Sequence, residues 1–581
     1  MENVKRLPSV EKPWMQFFSE KAQKAEVPKE TIYEAIVRRN KGFENNVAMN
    51  YFDRKITYRE LIDQSNNAAA AFESLGVKKG DIVACATVTF PEPVYSLYGL
   101  NKLGATIITL DPRLTAEQMK EFIDRSGAKI LLLVDLFYDK LKDDLQKMGL
   151  EQIIIISADT SLPKAIKFVK QFKMPAPKIK EEGNVITWNT FAKNGTTDPE
   201  ASYTAAYGEN DCAAITLTGG TTGMPKGVML SHDGFNAIAT SFENCGVSYT
   251  RDQRFLNIIP MFSSYGIVSS LHMPFCLGLE DVIIPKFDQE KVGHYVKKYR
   301  PAHTLMVPAH YEKLMNSKEM ANGFDLSFFE TAGSGGDTMN AGTEAKLNGF
   351  LKDHGSRFPL SQGYGMSEVS SAGSCYCNGN FRSLSVGYPL LMNTISIFKP
   401  ETTEEVGYNV EGEICMTGPS NMLGYLNDPK ETDNVMIQHP DGKVWIHSGD
   451  IGYMDEDGYL YIKGRIKRMI TMFDGHKVFP TQLENTIGKH QGVVSCAVVG
   501  VQDPSKNQGQ MPVGIIKIKD GLDAEQVIQE VTETIQKEVE VRSWLSDLIT
   551  VEDMPHTGMG KIDYKKLAED YEKENQTAKA G

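Results

Sequence analysis

Short apolar runs recur over the first 460 residues or so, separated by stretches whose apolar positions follow a helical period. The runs Asp81-Ile82-Val83-Ala84-Cys85, Ala105-Thr106-Ile107-Ile108-Thr109-Leu110 and Ala128-Lys129-Ile130-Leu131-Leu132 have the length and β-branched content of buried strands. Between such runs lie amphipathic patterns: 58–75 carries apolar residues at 61, 62, 68, 69, 71, 72 and 75, one face of a helix. Strand and helix in alternation predict an α/β fold, with mixed, largely parallel sheets flanked by helices. From about Arg468 the texture becomes that of a small α+β unit, with strands at 493–501 and 513–518 and a helix over 524–539. The Gly- and Lys-rich join Lys463-Gly464-Arg465-Ile466-Lys467-Arg468 marks the expected boundary, giving domains 1–466 and 467–581. Neither an internal repeat nor a low-complexity segment interrupts this order.

One segment departs from the globular pattern. Over 161–180, Leu162, Ala165, Ile166, Val169 and Phe172 fall at helical spacing, with Lys164, Lys167, Lys170 and Lys173 around the rest of the wheel. A basic amphipathic helix can lie on an anionic membrane surface, although most such helices pack on their own domain. The apolar runs Ile130–Val134 and 153–156 are far too short to span a bilayer.

Composition narrows the class. With 581 residues, 41% hydrophobic and 24% charged, the chain exceeds what one core usually carries and reads as a multidomain globular protein. Its net charge of -13 argues against a general nucleic-acid binder but leaves room for nucleotides held in a local pocket. The start of the chain is polar and lacks the apolar stretch of a signal peptide, so a cytoplasmic address is expected. The eight scattered cysteines read as reduced thiols, and the Cys375/Cys377 pair has no partner pair at zinc-site spacing.

The most specific chemistry lies in Leu217-Thr218-Gly219-Gly220-Thr221-Thr222-Gly223-Met224-Pro225-Lys226-Gly227-Val228. Four glycines, three threonines and a lysine share twelve positions after an apolar run. Glycines free backbone N–H groups for close approach to an anion, and threonine hydroxyls and an ammonium group add donors for phosphate oxygens. The spacing is not that of a Walker A loop, in which Ser or Thr follows the lysine.

This run resembles the phosphate loop of the adenylate-forming superfamily, which includes acyl-CoA synthetases, luciferases and peptide-synthetase adenylation domains. Further passages match in that family's order, and the resemblance spans roughly residues 50 to 565. Gly104-Ala105 through Asp111-Pro112-Arg113 is similar to an early structural strand and turn. Pro260-Met261-Phe262-Ser263-Ser264-Tyr265-Gly266 resembles the segment lining the acid pocket, which implies Ser263, Ser264 and Tyr265 there. Many relatives carry histidine where Ser263 stands, and amino-acid-activating relatives place an aspartate that this passage lacks. Gly333-Ser334-Gly335-Gly336-Asp337 resembles the loop along adenine, with Asp337 otherwise read as a helix cap. Gln362-Gly363-Tyr364-Gly365-Met366-Ser367-Glu368 matches the adenine and metal motif: Tyr364 would stack on the base, Ser367 donate to phosphate and Glu368 bind Mg²⁺. Val410-Glu411-Gly412-Glu413 with Gly424-Tyr425 looks like a structural strand and turn. Ser448-Gly449-Asp450, with Arg465 fifteen positions on, looks like the ribose clamp, and Asp457-Gly458 between them is a tight-turn signal. Lys467 falls at the hinge position about which the family's C-terminal domain rotates. Pro555-His556-Thr557-Gly558-Met559-Gly560-Lys561-Ile562 matches the motif whose lysine reaches the α-phosphate. The spacing from Arg465 to Pro480 is one residue longer than the family pattern, around 471–474, beside Gly475 where the CoA arm would pass.

The resemblance implies a ligase using ATP, Mg²⁺ and CoA. A carboxylate would attack the α-phosphate to give acyl-AMP and pyrophosphate, and the CoA thiol would then take the acyl group. Lys561, Glu368 and Lys226 carry the catalytic expectation. Thr218, Gly219, Gly220, Thr221, Thr222, Gly223, Gly335, Gly336, Gln362, Gly363, Tyr364, Gly365, Ser367, Asp450 and Arg465 carry nucleotide binding. A medium- or long-chain fatty acid is the expected substrate. Two other readings stay open: a ligase that loads a separate carrier protein, and a non-enzymatic nucleotide-binding regulator. The chain ends shortly after Lys561, so no fused carrier domain is expected.

Overall fold

The computed structural model describes residues 6–173, 177, 179–218, 225–337, 339–376, 379–506, 508–555 and 562–580. Two large sheets form the body of residues 6–390. In the first, strands Ile82–Ala86, Thr106–Leu110, Ile130–Val134, Gln152–Ile156, Val185–Thr187 and Cys212–Leu217 run parallel, and Gly227–Ser231 and Gly424–Tyr425 close one edge antiparallel. Its strands are buried on both faces, as parallel strands covered by helices must be. Ile130, Leu132 and Val134 point into one core while Leu131 and Leu133 point into another. The second sheet has a parallel centre, including His303–Met306, Thr331–Ser334 and Ser361–Tyr364, with short antiparallel strands at its edges.

Residues 394–465 depart from the parallel pattern. Strands Thr394–Phe398, Gly412–Thr417, Met436–Gln438, Val444–Met454 and Leu460–Arg465 form an antiparallel five-stranded sheet. Short connections bring consecutive strands back beside each other here, with no crossover helices. Gly458, at φ +93°, turns Val444–Met454 back onto Leu460–Arg465, which is what the Asp-Gly signal predicts.

The C-terminal α+β unit is a three-stranded sheet of Val493–Gln502, Gln510–Ile518 and Asp547–Thr550. Val498 and Ile516 join the core under helices Pro480–Ile487 and Ala524–Glu538, while Ala497, Val499, Val513 and Ile515 pack with Leu567 and Tyr571 of helix Tyr564–Ala580. Both cores draw only on residues from 470 onward. The longer spacing around 471–474 forms the tip of a hairpin between Ile470–Thr471 and Lys477–Val478, where Gly475 takes φ +79°.

Element boundaries read from the pattern hold closely, with helix 58–75 observed as Tyr58–Ser74 and helix 524–539 as Ala524–Glu538. The 161–180 segment is the exception: its helix spans only Lys164–Lys173, and the side chain of Phe172 lies outside the described set. No disulfide links the described cysteines, and Cys377 lies outside the described residues. Among the described residues, no helix is long and apolar enough to cross a membrane.

Candidate active site

A cleft of about 3060 Å³ runs between the two large sheets, the antiparallel sheet and the C-terminal unit. Much of its lining comes from strand ends and the turns after them, which is where parallel sheets place their ligands, and helices supply the rest. Thr218 and Lys226 lie at its edge. They close the two ends of the glycine-rich run: the Thr218 N–H donates to the Lys226 carbonyl at 2.9 Å, and the Lys226 N–H donates to Thr218 Oγ1 at 3.0 Å. The run therefore joins two antiparallel strands, Cys212–Leu217 and Gly227–Ser231, rather than a strand and a helix. Gly219, Gly220, Thr221, Thr222 and Gly223 lie outside the described residues, as does Lys561.

The Lys226 ammonium is held in a charged cluster. It pairs with Glu431 and lies 4.7 Å from the centre of the Tyr425 ring. Lys226 holds the Glu431 carboxyl below the ordinary range. The Tyr425 hydroxyl donates to Glu368 Oε1 at 2.6 Å, and the buried Glu368 sits in the short helical turn Ser367–Val369. Among the described residues, the other carboxylate oxygen of Glu368 takes no hydrogen bond. Burial and the neighbouring Glu368 carboxylate raise the Tyr425 hydroxyl far above its ordinary value, so it remains a donor. Tyr425, read from sequence as part of a structural turn, is thus a member of the site.

Asp450 and Arg465 are cross-strand partners in the hairpin, so their fifteen-residue separation becomes direct contact. Arg465 Nε lies 2.9 Å from Asp450 Oδ1, and the Tyr364 hydroxyl donates to Asp450 Oδ2 at 2.6 Å. Burial raises the Asp450 carboxyl above its usual range, opposed by Arg465 and Tyr364. Behind it, Glu413 accepts from the Gly449 N–H at 2.9 Å and contacts His447 Nδ1 at 2.8 Å, fixing the turn that presents Asp450. Glu413 and His447 also escaped the sequence reading, since their roles depend on register between strands.

The acid-pocket segment meets the nucleotide motif through Ser264 and Ser367, whose hydroxyls are 3.0 Å apart. Tyr265 opens a π-helical stretch, Tyr265–His272, and its half-buried ring faces Gly335 and Gly336. Gly266 has to be glycine: a Cβ there would stand 1.9 Å from the Pro260 carbonyl. Gly365 is constrained in the same way, with Ser371 O 2.0 Å from the site of a Cβ. Ser263 is turned to the backbone, donating to Pro260 O at 3.0 Å and accepting from the Gly266 N–H at 3.1 Å. Its hydroxyl serves the turn.

Two side chains differ from their expected part. Gln362 lines the cleft, yet its amide donates to the buried Glu344, so its side chain ties the strand to helix Ala341–Asp353. That helix is capped by Asn340, which accepts from the Thr343 N–H at 2.8 Å, and the cap reading of Asp337 is overturned. Gly363 continues the same strand along the cleft wall. Lys467 is exposed at the cleft in the short turn Ile466–Arg468. Its neighbour Arg468 pairs with Glu484 at 2.5 Å and lies 3.6 Å from the centre of the Tyr564 ring.

This combination of fold and cleft is that of an AMP-binding enzyme. Residues 36–426 match the AMP-binding enzyme family, residues 482–561 match the AMP-binding enzyme C-terminal domain, and the chain belongs to that family. It is 27% identical over 589 residues to the long-chain-fatty-acid–CoA ligase of Bacillus subtilis (strain 168), covering 98% of this chain and 100% of that protein. It is 28% identical over 522 residues to 4-coumarate–CoA ligase 3 of Arabidopsis thaliana, covering 88% and 86%. Among solved structures, ATP-bound MatB from Rhodopseudomonas palustris superposes with TM-score 0.79 at 22% identity, over 93% of this chain and 99% of that one. The anthranilate CoA ligase AuaEII in complex with anthranoyl-AMP superposes with TM-score 0.78 at 21% identity, over 94% and 98%.

The raised Asp450 carboxyl has a signed consequence. Its folded-state pKa lies above the unfolded one, so the unfolded chain ionises first as pH rises. Its contribution to stability should be full below the ordinary aspartate range and fall as pH climbs through the raised value. Asp450→Asn removes this decline, so the thermal midpoint of the variant should gain on the wild type across that window. Parallel midpoints at every pH would contradict the assignment.

Proposed function

We propose that this enzyme activates a medium- or long-chain fatty acid, and that the cleft residues divide the work as follows. The reaction is that of an acid–thiol ligase using ATP, Mg²⁺ and CoA: the acid carboxylate attacks the α-phosphorus, pyrophosphate leaves, and the CoA sulfur displaces AMP from the acyl carbon. The observation that carries the acid assignment is the apolar part of the cleft lining, which includes Phe242, Val247, Ile259, Met273, Leu305 and Val307. No carboxylate lies between Pro260 and Gly266 to hold an α-ammonium group. The Bacillus relative's name supports an alkyl acid. Relatives named for 4-coumarate favour a second reading, an aryl acid in the same apolar space. We assign the enzyme to the cytoplasm, where ATP and CoA are available.

Two anions must meet, so fixed positive charge and donors come first. Lys226 faces the phosphates, exchanging Glu431 for them. Tyr364 flanks the adenine while its hydroxyl ties it to Asp450, which accepts from the ribose beside Arg465. Gly335 and Gly336 bring backbone along the base, and Ser367 donates to phosphate. Glu368, held by Tyr425 on one oxygen, fits a hard cation that prefers carboxylate oxygens, and Mg²⁺ there would neutralise triphosphate charge. Ser264 and Tyr265 border the acid. Lys561 is the cation that meets the developing charge at the α-phosphate. A boundary at 466/467 with Lys467 as hinge would let the C-terminal unit reorient between the two half-reactions.

An acid panel scored by pyrophosphate release, with and without CoA, tests the substrate. Alkanoates of increasing length should give the highest rates, with AMP formation rising on adding CoA. Preference for 4-coumarate selects the aryl reading. Activity confined to α-amino acids would sink both. Turnover that ignores CoA but responds to an acyl-carrier protein would replace the acceptor.

The two lysines separate the half-reactions. Losing one electrostatic donor to a transition state costs about 10²–10³ in rate. Lys561→Ala should slow adenylation by that factor yet still convert supplied acyl-adenylate to thioester. Lys467→Pro fixes φ near one value and should spare adenylation while blocking thioester formation. The reverse pattern would overturn both roles.

A further inference from the structure

The helix Lys164–Lys173 is mounted with its apolar side outward. At 100° per residue, Ala165, Ile166, Phe168 and Val169 share one side of the wheel, and Lys164, Lys167 and Lys170 the other. A surface helix of a water-soluble domain normally turns its apolar side to the core. Here residues 164–169 are all exposed, the apolar ones together with Lys164 and Lys167, and only the half-buried Lys170 is tied down, to Asp159. Just before the helix, Leu162 is buried, and the Ser161 hydroxyl donates to Glu92 Oε1 at 2.6 Å, anchoring its start. Ile166 is 39% exposed, Val169 52% and Phe168 62%. Leu136, next to the Asp135 carboxyl that feels Lys170, is 68% exposed.

Charge narrows what can cover this face. The 161–180 stretch holds six lysines and no carboxylate in a chain whose net charge is -13. A partner must therefore be anionic and also accept exposed alkyl and phenyl groups. Nucleic acid supplies the charge without the apolar phase; an anionic phospholipid surface supplies both. We propose that this helix docks the enzyme on an anionic lipid bilayer. Ile166, Phe168 and Val169 enter the boundary between headgroups and acyl chains, and the surrounding lysines meet lipid phosphates, their stems reaching along the apolar surface. The docking lies outside the cleft and does not depend on which acid the enzyme uses.

The test is co-sedimentation of the full-length protein with vesicles of phosphatidylglycerol mixed with phosphatidylcholine, against phosphatidylcholine alone. The protein should sediment with the anionic vesicles and be released as NaCl screens the charges. Replacing Ile166, Phe168 and Val169 together by Ser should weaken that binding about tenfold or more. Lys164→Gln with Lys167→Gln should weaken it on anionic vesicles, and both variants should keep wild-type ligase activity on a water-soluble acid. Binding by either variant equal to wild type, or no wild-type binding to anionic vesicles, would overturn the proposal. So would a lipid-free dimer in sedimentation velocity that the triple-Ser variant dissolves, which would assign the face to a second copy.

Discussion

Joining a carboxylate to a triphosphate means bringing like charges into contact, and the architecture of this site follows from that constraint. In water the repulsion is weakened by solvent; in a cleft it has to be met by groups already in position. The chain meets it with preassembled pairs. Lys226 rests on Glu431 and against the Tyr425 ring, Glu368 rests on Tyr425, and Asp450 rests on Arg465 and Tyr364. A buried carboxylate left alone would take a proton or destabilise the fold. Each of these charged groups already has a partner in the folded chain.

Those pairs come from separate sheets. Lys226 closes a hairpin of one parallel-type sheet, Tyr364 ends a strand of the other, and Asp450 and Arg465 face each other in the antiparallel sheet. Tyr364 and Tyr425 are the cross-links: each spans from one layer to a carboxylate of another. Packing between the layers thus sets the cleft geometry, and the mutually buried cores give it little freedom to drift. The C-terminal unit has cores of its own; its helix Pro480–Ile487 lies against strand Leu460–Arg465, and Gly488 at the end of that helix lies beside Asn340 of the body.

Much of this was legible in the chain. Periodicity found the strands 82–86, 106–110 and 130–134 and the long helices because burial on both faces leaves no room for polar residues. The Asp457-Gly458 signal implied the hairpin that joins Asp450 to Arg465. What escaped was anything set by register or by contact between layers. Tyr425 sits in a two-residue strand, and nothing local marks its hydroxyl as the partner of Glu368, 57 residues away. Glu413 and His447 meet only because antiparallel strands align them. Ser263 reads as a pocket hydroxyl, but the π-helical turn consumes it. The amphipathic pattern at 161–180 was visible, whereas the exposure of its apolar residues could be read only from the folded surface.

The central claim is that the acid oxygen bonds to the α-phosphorus of ATP within this cleft. Oxygen-isotope tracing reads that bond directly. The acid that best supports CoA-dependent AMP formation is supplied with both carboxylate oxygens as ¹⁸O, and the nucleotide product is examined by mass spectrometry. AMP should carry one ¹⁸O atom, with none in pyrophosphate. Unlabelled AMP, or ADP formed alongside labelled inorganic phosphate, would contradict it.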